Sequence, residues 1–482
     1  MQKSKEVSYE EPLSAENEYL SEKEKTATNG VASRSKRTKS RSSIPYPEDT
    51  SKAIETLRKR YMGSRRAIPV SFRKLVPWMK VGERATHYLH PYPAKLLPQI
   101  AHFFLSSNKF CPTRGVVLDP FGGSGTVALE ACLSGRRAVY VDTNPLARLI
   151  AKTKLWDSTG VDFEITLNRV KERFKKSRTT AHPDVINVSK WFDPQVIRAL
   201  ARIRAAIRLE EDEKIKEFLD VTFSATVRRV SNADLRLSVP VLAKSKNLQI
   251  RDASDVWLKF EEQFRSNARR SSELRKIMPN DVGIEIFGDD ARSMTPNSGG
   301  IIRKASVDLV ITSPPYAGAQ KYIRASSLCL GWLGLAGTGQ LKPLENKTIG
   351  REHLLKNEVK NISSTSVSSA NKVLARIRQK NPVRAAICST YLNEMEQVIK
   401  QVSEVIKAGG YFVLVIGNNE VCGEKFLSSR YLAELASNSG FDLEMKMVDE
   451  IKSRGLMTKR NRSAGIIARE WVLVFKKANI KS

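Results

Sequence analysis

The stretch from Thr312 to Tyr316 combines residues whose types and order can bind a planar amine. Proline fixes φ and lacks an N–H, so the carbonyl groups of Ser313 and Pro314 become rigid hydrogen-bond acceptors. Tyr316 offers a flat face for a stacked base, and the Ser313 hydroxyl can donate or accept a hydrogen bond. The pattern predicts a pocket for the exocyclic amine of a nucleobase. A proline-terminated strand with a packed aromatic residue explains the same letters equally well.

A glycine-rich turn, 120–126, lies between a short apolar run and a helical pattern. Its glycines allow a ligand to approach the backbone, but the turn lacks the lysine of a phosphate-binding loop. Asp119 before the turn would repel a pyrophosphate and suits an amine-bearing or cationic ligand. Asp142 ends the next apolar run, about 20 residues past the glycines, where an acid accepts hydrogen bonds from ribose hydroxyls. The two acids and the turn favour a nucleoside cofactor over a plain tight turn.

The elements that must position these residues alternate between short apolar runs and helical patterns, which indicates an α/β fold. The run before TSPPY is β-branched and almost continuous, as in a central strand of a parallel sheet. Ligands bind such sheets beyond the carboxyl ends of the strands. The predicted strands are 115–118, 138–141, 284–287, 306–311, 411–416, 443–448 and 470–475.

Charge and composition restrict the function further. The 482-residue chain has 81 Lys and Arg against 51 Asp and Glu, a net charge of +30. Such an excess favours a polyanionic partner, with nucleic acid first. The five cysteines show no metal-like spacing, so neither a disulfide framework nor a zinc site is predicted. The sequence shows no apolar leader and no apolar run of about 18 residues, so a cytoplasmic protein is expected.

Taken together, these stretches resemble the amino-type S-adenosylmethionine-dependent DNA methyltransferases. DPFGGSGT at 119–126 looks like their motif I, and TSPPY looks like their catalytic motif IV. HPYPAK at 90–95 is similar to motif X, which closes over the methionine end of the cofactor. GDDAR at 288–292 is similar to motif III, whose acid contacts the adenine. The resemblance implies a class I, Rossmann-like fold: α/β, doubly wound, with a mostly parallel seven-stranded sheet whose last strand is antiparallel.

The resemblance also implies a cofactor, a substrate and a set of site residues. The cofactor is S-adenosyl-L-methionine, and double-stranded DNA is the partner, with the target base flipped out and stacked on Tyr316. Serine at the head of motif IV is similar to the cytosine-N4 subgroup, whereas adenine-N6 enzymes usually carry Asp or Asn there. The implied catalytic residues are Ser313, Pro314, Pro315 and Tyr316. The implied cofactor-binding residues are Tyr92, Pro93, Asp119, Phe121, Gly123, Gly125, Thr126, Asp142, Asp289 and Asp290.

The chain is predicted to divide into four parts. Residues 1–60 form a disordered basic arm, because they carry too few large apolar side chains to offset the entropy of ordering. Residues 61–160 and 283–482 form the methyltransferase domain, with a mobile loop at 338–381. Between them, 161–282 is a helical insertion for DNA recognition or for bracing the sheet, with predicted helices at 163–177, 194–209, 214–230 and 253–277.

The predicted function is site-specific methylation of cytosine N4 in DNA, with a restriction endonuclease as a possible companion. Adenine-N6 methylation, methylation of RNA and a non-catalytic nucleic-acid-binding protein on the same fold are the alternatives. Arg228 and Arg229 are candidate DNA contacts within the insertion, and Arg460 and Arg462 are either DNA contacts or part of a solvated loop. No Pro-Cys dipeptide is present, so a cytosine-C5 mechanism is not expected.

Overall fold

Eight strands form one sheet in this computed structural model. The structure describes residues 49–79, 84–93, 95–244, 252–279, 282–286, 288–318, 321–360, 364–450 and 469–479. The order across the sheet is β1-β9-β10-β6-β5-β2-β3-β4, and β7 pairs with β8 in a separate hairpin. The strands are β1 Ile68–Val70, β2 Val116–Asp119, β3 Arg137–Tyr140, β4 Ile284–Ile286, β5 Val307–Thr312, β6 Ile406–Gly417, β7 Asn419–Val421, β8 Glu424–Phe426, β9 Phe441–Glu450 and β10 Arg469–Lys477.

The sheet is mostly parallel, and β10 runs antiparallel to both β6 and β9. The predicted doubly wound α/β fold with an antiparallel last strand is therefore confirmed. The prediction of seven strands is wrong by one, because β1 pairs with β9 at the edge of the sheet. β1 contains Pro69, and proline within a strand is typical of an edge strand. With only three residues, β1 shows no recognisable strand pattern in the sequence.

Successive strand residues point to opposite faces, and both faces are buried. In β6, Phe412, Leu414 and Ile416 enter one apolar cluster, whereas Val413 and Val415 enter the other. This explains why the strand sequences are continuously apolar. The helices are Ser51–Ser64, Phe72–Leu75, Pro98–Leu105, Thr126–Leu133, Pro145–Lys154, Phe163–Lys176, Val188–Trp191, Pro194–Arg208, Glu213–Arg229, Ala253–Ile277, Tyr322–Leu333, Leu341–Asn346, Lys356–Lys360, Ser368–Lys380, Pro382–Val405 and Ser428–Asn438.

The insertion between β3 and β4 is helical, and its four long helices begin and end within one residue of the predicted bounds. Asp162, Asp212 and Asp252 cap three of these helices by accepting backbone N–H groups. The insertion has its own apolar cluster, which includes Trp332 of the helix Tyr322–Leu333. It therefore packs against the helix that follows TSPPY.

Two segments that were predicted to be irregular contain helices. The predicted disordered arm, 1–60, includes most of the helix Ser51–Ser64, in which Ile54, Leu57 and Tyr61 form a buried stripe at helical spacing. The expected mobile loop, 338–381, contains three helices, and Ala370, Leu374 and Ile377 bury one face of the last. In both cases the polar composition conceals a narrow apolar stripe.

Two predictions concern residues that the structure does not describe. Residues 1–48 of the predicted basic arm and the pair Arg460 and Arg462 lie outside the described part of the chain. Among the helices that are described, none is both long and apolar enough to cross a membrane.

Candidate active site

The glycine-rich turn and the TSPPY stretch leave the sheet side by side. β2 and β5 are adjacent parallel strands, with Leu118 opposite Val310. At their carboxyl ends, the Thr312 hydroxyl donates a hydrogen bond of 2.7 Å to Oδ1 of Asp119. The two stretches that were predicted to hold the cofactor and the target amine are thus at the same edge of the sheet.

The turn after β2 requires glycine for two reasons. A Cβ on Gly122 would lie 2.1 Å from the Tyr140 ring, so no side chain fits there. Gly123 has φ +52, in the left-handed region that favours glycine. The Tyr140 hydroxyl donates to the Gly123 carbonyl over 2.5 Å, and the Gly123 N–H donates to Oδ2 of Asp142 over 2.9 Å. A buried tyrosine and a carboxylate therefore fix the turn from both sides.

Asp142 follows β3 and lines the open pocket beside the turn. Burial raises the pKa of its carboxyl, while the N–H groups of Asn144 and Gly123 oppose the rise. These two N–H groups occupy two of about four acceptor positions of a carboxylate, so positions remain for ribose hydroxyls. The open backbone at Gly123 and the available oxygens of Asp142 fit the nucleoside part of S-adenosylmethionine.

The pocket is open to solvent, and its empty space, including that solvent, is about 640 Å³. Its wall is built from residues in many parts of the chain. Predicted site residues in its lining are Tyr92, Phe121, Gly123, Asp142, Asp290, Ser313 and Pro315. Further lining residues are Pro120, Thr143, Asn144, Ala291, Tyr322, Ile323, Thr348 and Ile349. Motifs that are almost 200 residues apart thus meet in one cavity.

Other predicted site residues lie behind the pocket or beside it. Asp119 is buried and accepts hydrogen bonds from Thr312 and from the Phe121 N–H, and burial raises its pKa to about 7. Gly125 lies against Ala151, and Thr126 starts the following helix and is buried. Asp119 therefore joins two strand ends instead of facing the cavity.

The remaining predicted residues occupy the edges of the site. Pro314 is buried, and Pro93 is half-buried. The Tyr316 hydroxyl donates to Oε1 of Glu470 over 2.8 Å, and its ring packs partly against the core. Asp289 is exposed, and its carbonyl accepts a hydrogen bond from the Thr143 hydroxyl. None of these four is in the lining of the nucleoside pocket.

Asn144 connects three segments of the site and was not predicted. Its Nδ2 donates to the Tyr92 hydroxyl and to the Ser326 hydroxyl, both over 3.0 Å. Its Oδ1 caps the helix Pro145–Lys154 by accepting the N–H of Leu146. Asn immediately before a helix with Pro at its first position is a capping signal, but the two long-range contacts have no local signature.

Residues 347–351 supply another part of the pocket wall. Thr348 and Ile349 line the cavity, although the sequence placed them in a mobile loop. Arg351 donates to Oε1 of Glu394 over 2.6 Å, and Arg292 donates to the same oxygen over 2.9 Å. Arg292 also pairs with Asp290 over 2.8 Å. A network of ion pairs therefore attaches this segment to the acid that was expected to contact adenine.

His87 and His90 are buried. His87 Nε2 lies 2.7 Å from Oε1 of Glu130, and the Arg84 guanidinium pairs with the same carboxylate. Burial lowers the pKa of His87 to about 4 and that of His90 to about 3, so both are neutral at pH 7. Within the described ranges, no group of three or more His, Cys, Asp or Glu could hold a metal ion.

The candidate DNA contacts in the insertion are engaged internally. The Arg228 guanidinium donates to the carbonyls of Asp234 and Leu237, which holds the following loop against the helix. Arg229 pairs with Glu262 over 2.9 Å. These contacts support a structural role for both arginines in this conformation.

Comparison with known proteins points to methyltransferases. Residues 86–190 match the UPF0020 family model, described as RMKL-like, methyltransferase domain. The chain is 25% identical to the type II methyltransferase M.MvaI of Kocuria varians over 70% of this chain and 77% of that protein. It is 35% identical to M.MjaII of Methanocaldococcus jannaschii over 49% of this chain and 60% of that protein. A third match, M.BsoBI of Geobacillus stearothermophilus, is 23% identical over 55% of each chain.

The matched family region contains the glycine-rich turn and Asp142, which line the pocket. The chain spans less than two thirds of the length of the second and third relatives. Over these ranges the chain is similar to a methyltransferase domain and to type II methyltransferases.

Proposed function

We propose that this protein is a site-specific DNA methyltransferase that transfers a methyl group from S-adenosylmethionine to the exocyclic N4 of cytosine. The observation that carries the proposal is that Ser313 and Pro315 line the same pocket as Gly123 and Asp142. A target amine beside TSPPY would therefore be next to the methyl end of a nucleoside held by the glycine-rich turn. Similarity to type II methyltransferases supports DNA as the substrate.

The residues of this chain supply alignment and hydrogen bonding to the amine. When bound, the cofactor supplies an electrophilic methyl group on a sulfonium. The N4 lone pair of cytosine is delocalised into the ring, and acceptors at the Ser313 hydroxyl and the Pro314 carbonyl would draw the amine out of conjugation. Alignment of two reactants in a site is worth several kcal/mol, roughly 7–11 for well-oriented pairs. No cysteine nucleophile takes part in this reaction.

The flipped base needs a flat surface on the side away from the cofactor. Tyr316 is the candidate, since its hydroxyl is held by Glu470 and its ring is only partly packed. The proposed cofactor contacts are Asp142 with the ribose and Tyr92 with the methionine end. Asp290 would contact the adenine while it remains paired with Arg292.

Nucleoside analysis tests the reaction and its alternatives. Unmethylated genomic DNA is incubated with the protein and S-adenosylmethionine, digested to nucleosides and analysed by mass spectrometry. We expect N4-methylcytosine. N6-methyladenine without N4-methylcytosine would show the adenine alternative, because one serine at the head of motif IV carries the distinction. No methylated nucleoside from DNA or RNA, together with no cofactor binding in calorimetry, would show a non-catalytic protein.

A pair of serine variants at the two ends of β5 sharpens the test. Ser313→Ala should lower the methylation rate at least tenfold and leave cofactor affinity within twofold, because Ser313 is proposed to contact the amine. Ser306→Ala is the control, since Ser306 precedes the other end of β5 and its hydroxyl donates only to the Arg303 carbonyl. Equal rates for the two variants would remove Ser313 from the mechanism. A companion restriction endonuclease, also proposed, would be tested by cleavage of the unmethylated target site.

A further inference from the structure

An exposed tyrosine lies between two cations, four residues before Tyr92 of the pocket wall. Tyr88 is 50% exposed. Lys95 Nζ lies 5.4 Å from the centre of its ring, and Arg270 Cζ lies 5.7 Å from the same centre. We call Tyr88, Lys95 and Arg270 the Tyr88 patch. Large exposed aromatic rings flanked by cations are common where proteins bind nucleic-acid strands.

The patch combines two elements that are far apart in sequence. Tyr88 and Lys95 belong to the segment that leads into the pocket, whereas Arg270 lies on the insertion helix Ala253–Ile277. Gln263 of that helix donates to the Leu89 carbonyl over 3.5 Å, which fixes the two elements to each other. Lys95 Nζ donates to the His90 carbonyl over 2.7 Å, so its position is also fixed. The patch is therefore ordered before any partner binds.

Among the described residues, the Lys95 amine bonds to carbonyl oxygens and forms no ion pair with a carboxylate. Its partners are the His87 and His90 carbonyls, over 3.3 and 2.7 Å. Burial and then the nearby Arg270 lower the pKa of Lys95 to about 8. Behind it, the fully buried Lys154 donates to the Ser124 hydroxyl, and Glu273 lies one turn along the helix from Arg270. Because Lys95 and Arg270 carry like charges close together, an anion bound beside them would reduce their repulsion.

The patch lies close to the proposed point of methyl transfer. Tyr92 lines the pocket and follows Tyr88 by four residues, which span at most about 14 Å. Duplex DNA carries one negative charge per roughly 1.7 Å of its axis, so several phosphates lie within that distance of a base in the pocket.

We propose that the Tyr88 patch binds the DNA backbone beside the flipped nucleotide, with Arg270 on a phosphate, Tyr88 packed against the adjoining sugar or base, and Lys95 adding positive charge beside the ring. This inference rests on the proposed function, since it assumes DNA as the substrate. It assigns DNA binding to the junction of the insertion with the methyltransferase domain, and not to Arg228 and Arg229.

The test measures the affinity for fluorescent duplex DNA as a function of salt concentration. Loss of one phosphate contact lowers the slope of log K against log salt by about 0.9. We therefore expect Arg270→Ala to lower the slope by about one and to weaken binding roughly tenfold at low salt. Tyr88→Ala should weaken binding about fivefold with little change of slope, because stacking on an aromatic ring carries no charge.

Arg275→Ala is the matched control, since Arg275 is exposed on the same helix but lies off the face that carries Arg270. Cofactor affinity and thermal unfolding should stay at wild-type values in all three variants, which shows that the fold and the pocket are intact. If the wild type binds DNA and Arg270→Ala keeps the wild-type slope, the patch is not the DNA contact. If the wild type binds no DNA at any salt concentration, the proposed function itself fails.

Discussion

The walls of the nucleoside pocket are built in two different ways. At the strand ends, Gly123, Asp142 and Ser313 follow β2, β3 and β5, and the Asp142 carboxylate accepts the N–H groups of Gly123 and Asn144. Residues 347–351 belong instead to a connection between helices, and ion pairs from Arg351 and Arg292 to Glu394 hold them. Each residue of the strand-end wall is marked by a pattern within a few neighbouring residues. The ion-pair wall joins Glu394 to Arg351 and Arg292, which are 43 and 102 positions away.

Because of this difference, substitutions in the two walls should affect cofactor binding and protein stability to different extents. A turn at a strand end is supported by the sheet, which persists if one side chain is lost. Residues 347–351 are not part of a strand, and their position depends on buried charges that must remain paired. Substitutions in the strand-end wall should therefore alter mainly cofactor affinity, whereas substitutions in the ion-pair wall should alter both affinity and stability.

Glu394→Ala should have the largest effect. Oε1 of Glu394 accepts hydrogen bonds from both Arg292 and Arg351. Its loss removes the carboxylate between two partly buried guanidinium groups, each of which keeps one other acidic partner. Breaking a buried ion pair by removal of one partner costs roughly 3–5 kcal/mol. We expect the free energy of unfolding in urea to fall by about that amount, and cofactor affinity to fall at least tenfold because Ile349 and Thr348 lose their support.

Glu396→Ala is the control on the same helix. Glu396 pairs with Lys400 at the surface, and such exposed pairs contribute about 0–1 kcal/mol. Equal losses of stability in the two variants would show that the ion-pair wall does not depend on its buried network.

The contrast between the walls also explains which parts of the site the sequence could predict. Gly123, Asp142 and Ser313 were identified because turn residues and strand-terminal acids follow a local pattern, and the neighbouring order of β2 and β5 follows from the fold. Ile349 lies in a polar stretch, and nothing near it in sequence indicates a partner. Its contact with the pocket depends on Glu394, which looks like any other acid on a long helix.

The fold shows the same dependence on local pattern. The long insertion helices were predicted to within a residue because their apolar spacing and Asp caps are local. The helix Ser51–Ser64 and the edge strand β1 were missed, since one carries few apolar residues and the other has only three residues. Asp119 was expected to face the ligand, and only the pairing of β2 with β5 reveals that it binds Thr312.

Asp142→Ala should have an intermediate effect that is confined to binding. Its carboxylate is proposed to hold the ribose and accepts the Gly123 N–H, so the variant loses one ligand contact and one support of the turn. We expect calorimetry to show cofactor affinity lowered about 10- to 100-fold, which corresponds to about 1.4–2.8 kcal/mol. The free energy of unfolding should change by about 1 kcal/mol. A loss of stability as large as that of Glu394→Ala would contradict the distinction between the walls.

Thr312→Val should have the smallest effect at low pH, and its cost in stability should grow as the pH rises. Burial raises the pKa of Asp119 to about 7, so between the unfolded value near 3.8 and about 7 the folded protein binds more protons than the unfolded chain. The stabilising contribution of the protonated carboxyl is complete at low pH and is lost as pH rises through 7. The Thr312 hydroxyl lowers that pKa by donating to the carboxylate, so its removal should cost more when Asp119 is ionised.

Urea unfolding at pH 5.5 and pH 8 measures this dependence. We expect Thr312→Val to lose about 1 kcal/mol at the lower pH and about 2–3 kcal/mol at the higher pH, because a hydrogen bond to a charged group is the stronger one. Thr153→Val is the matched control: Thr153 is also buried, but its hydroxyl donates to the uncharged carbonyl of Leu149, so its cost should be equal at both pH values. A pH-independent cost for Thr312→Val would mean that Asp119 does not change its ionisation in this range. The Thr312 hydroxyl would then donate to an Asp119 carboxyl that is either protonated or ionised at both pH values, and the link between the two strand ends would not depend on pH.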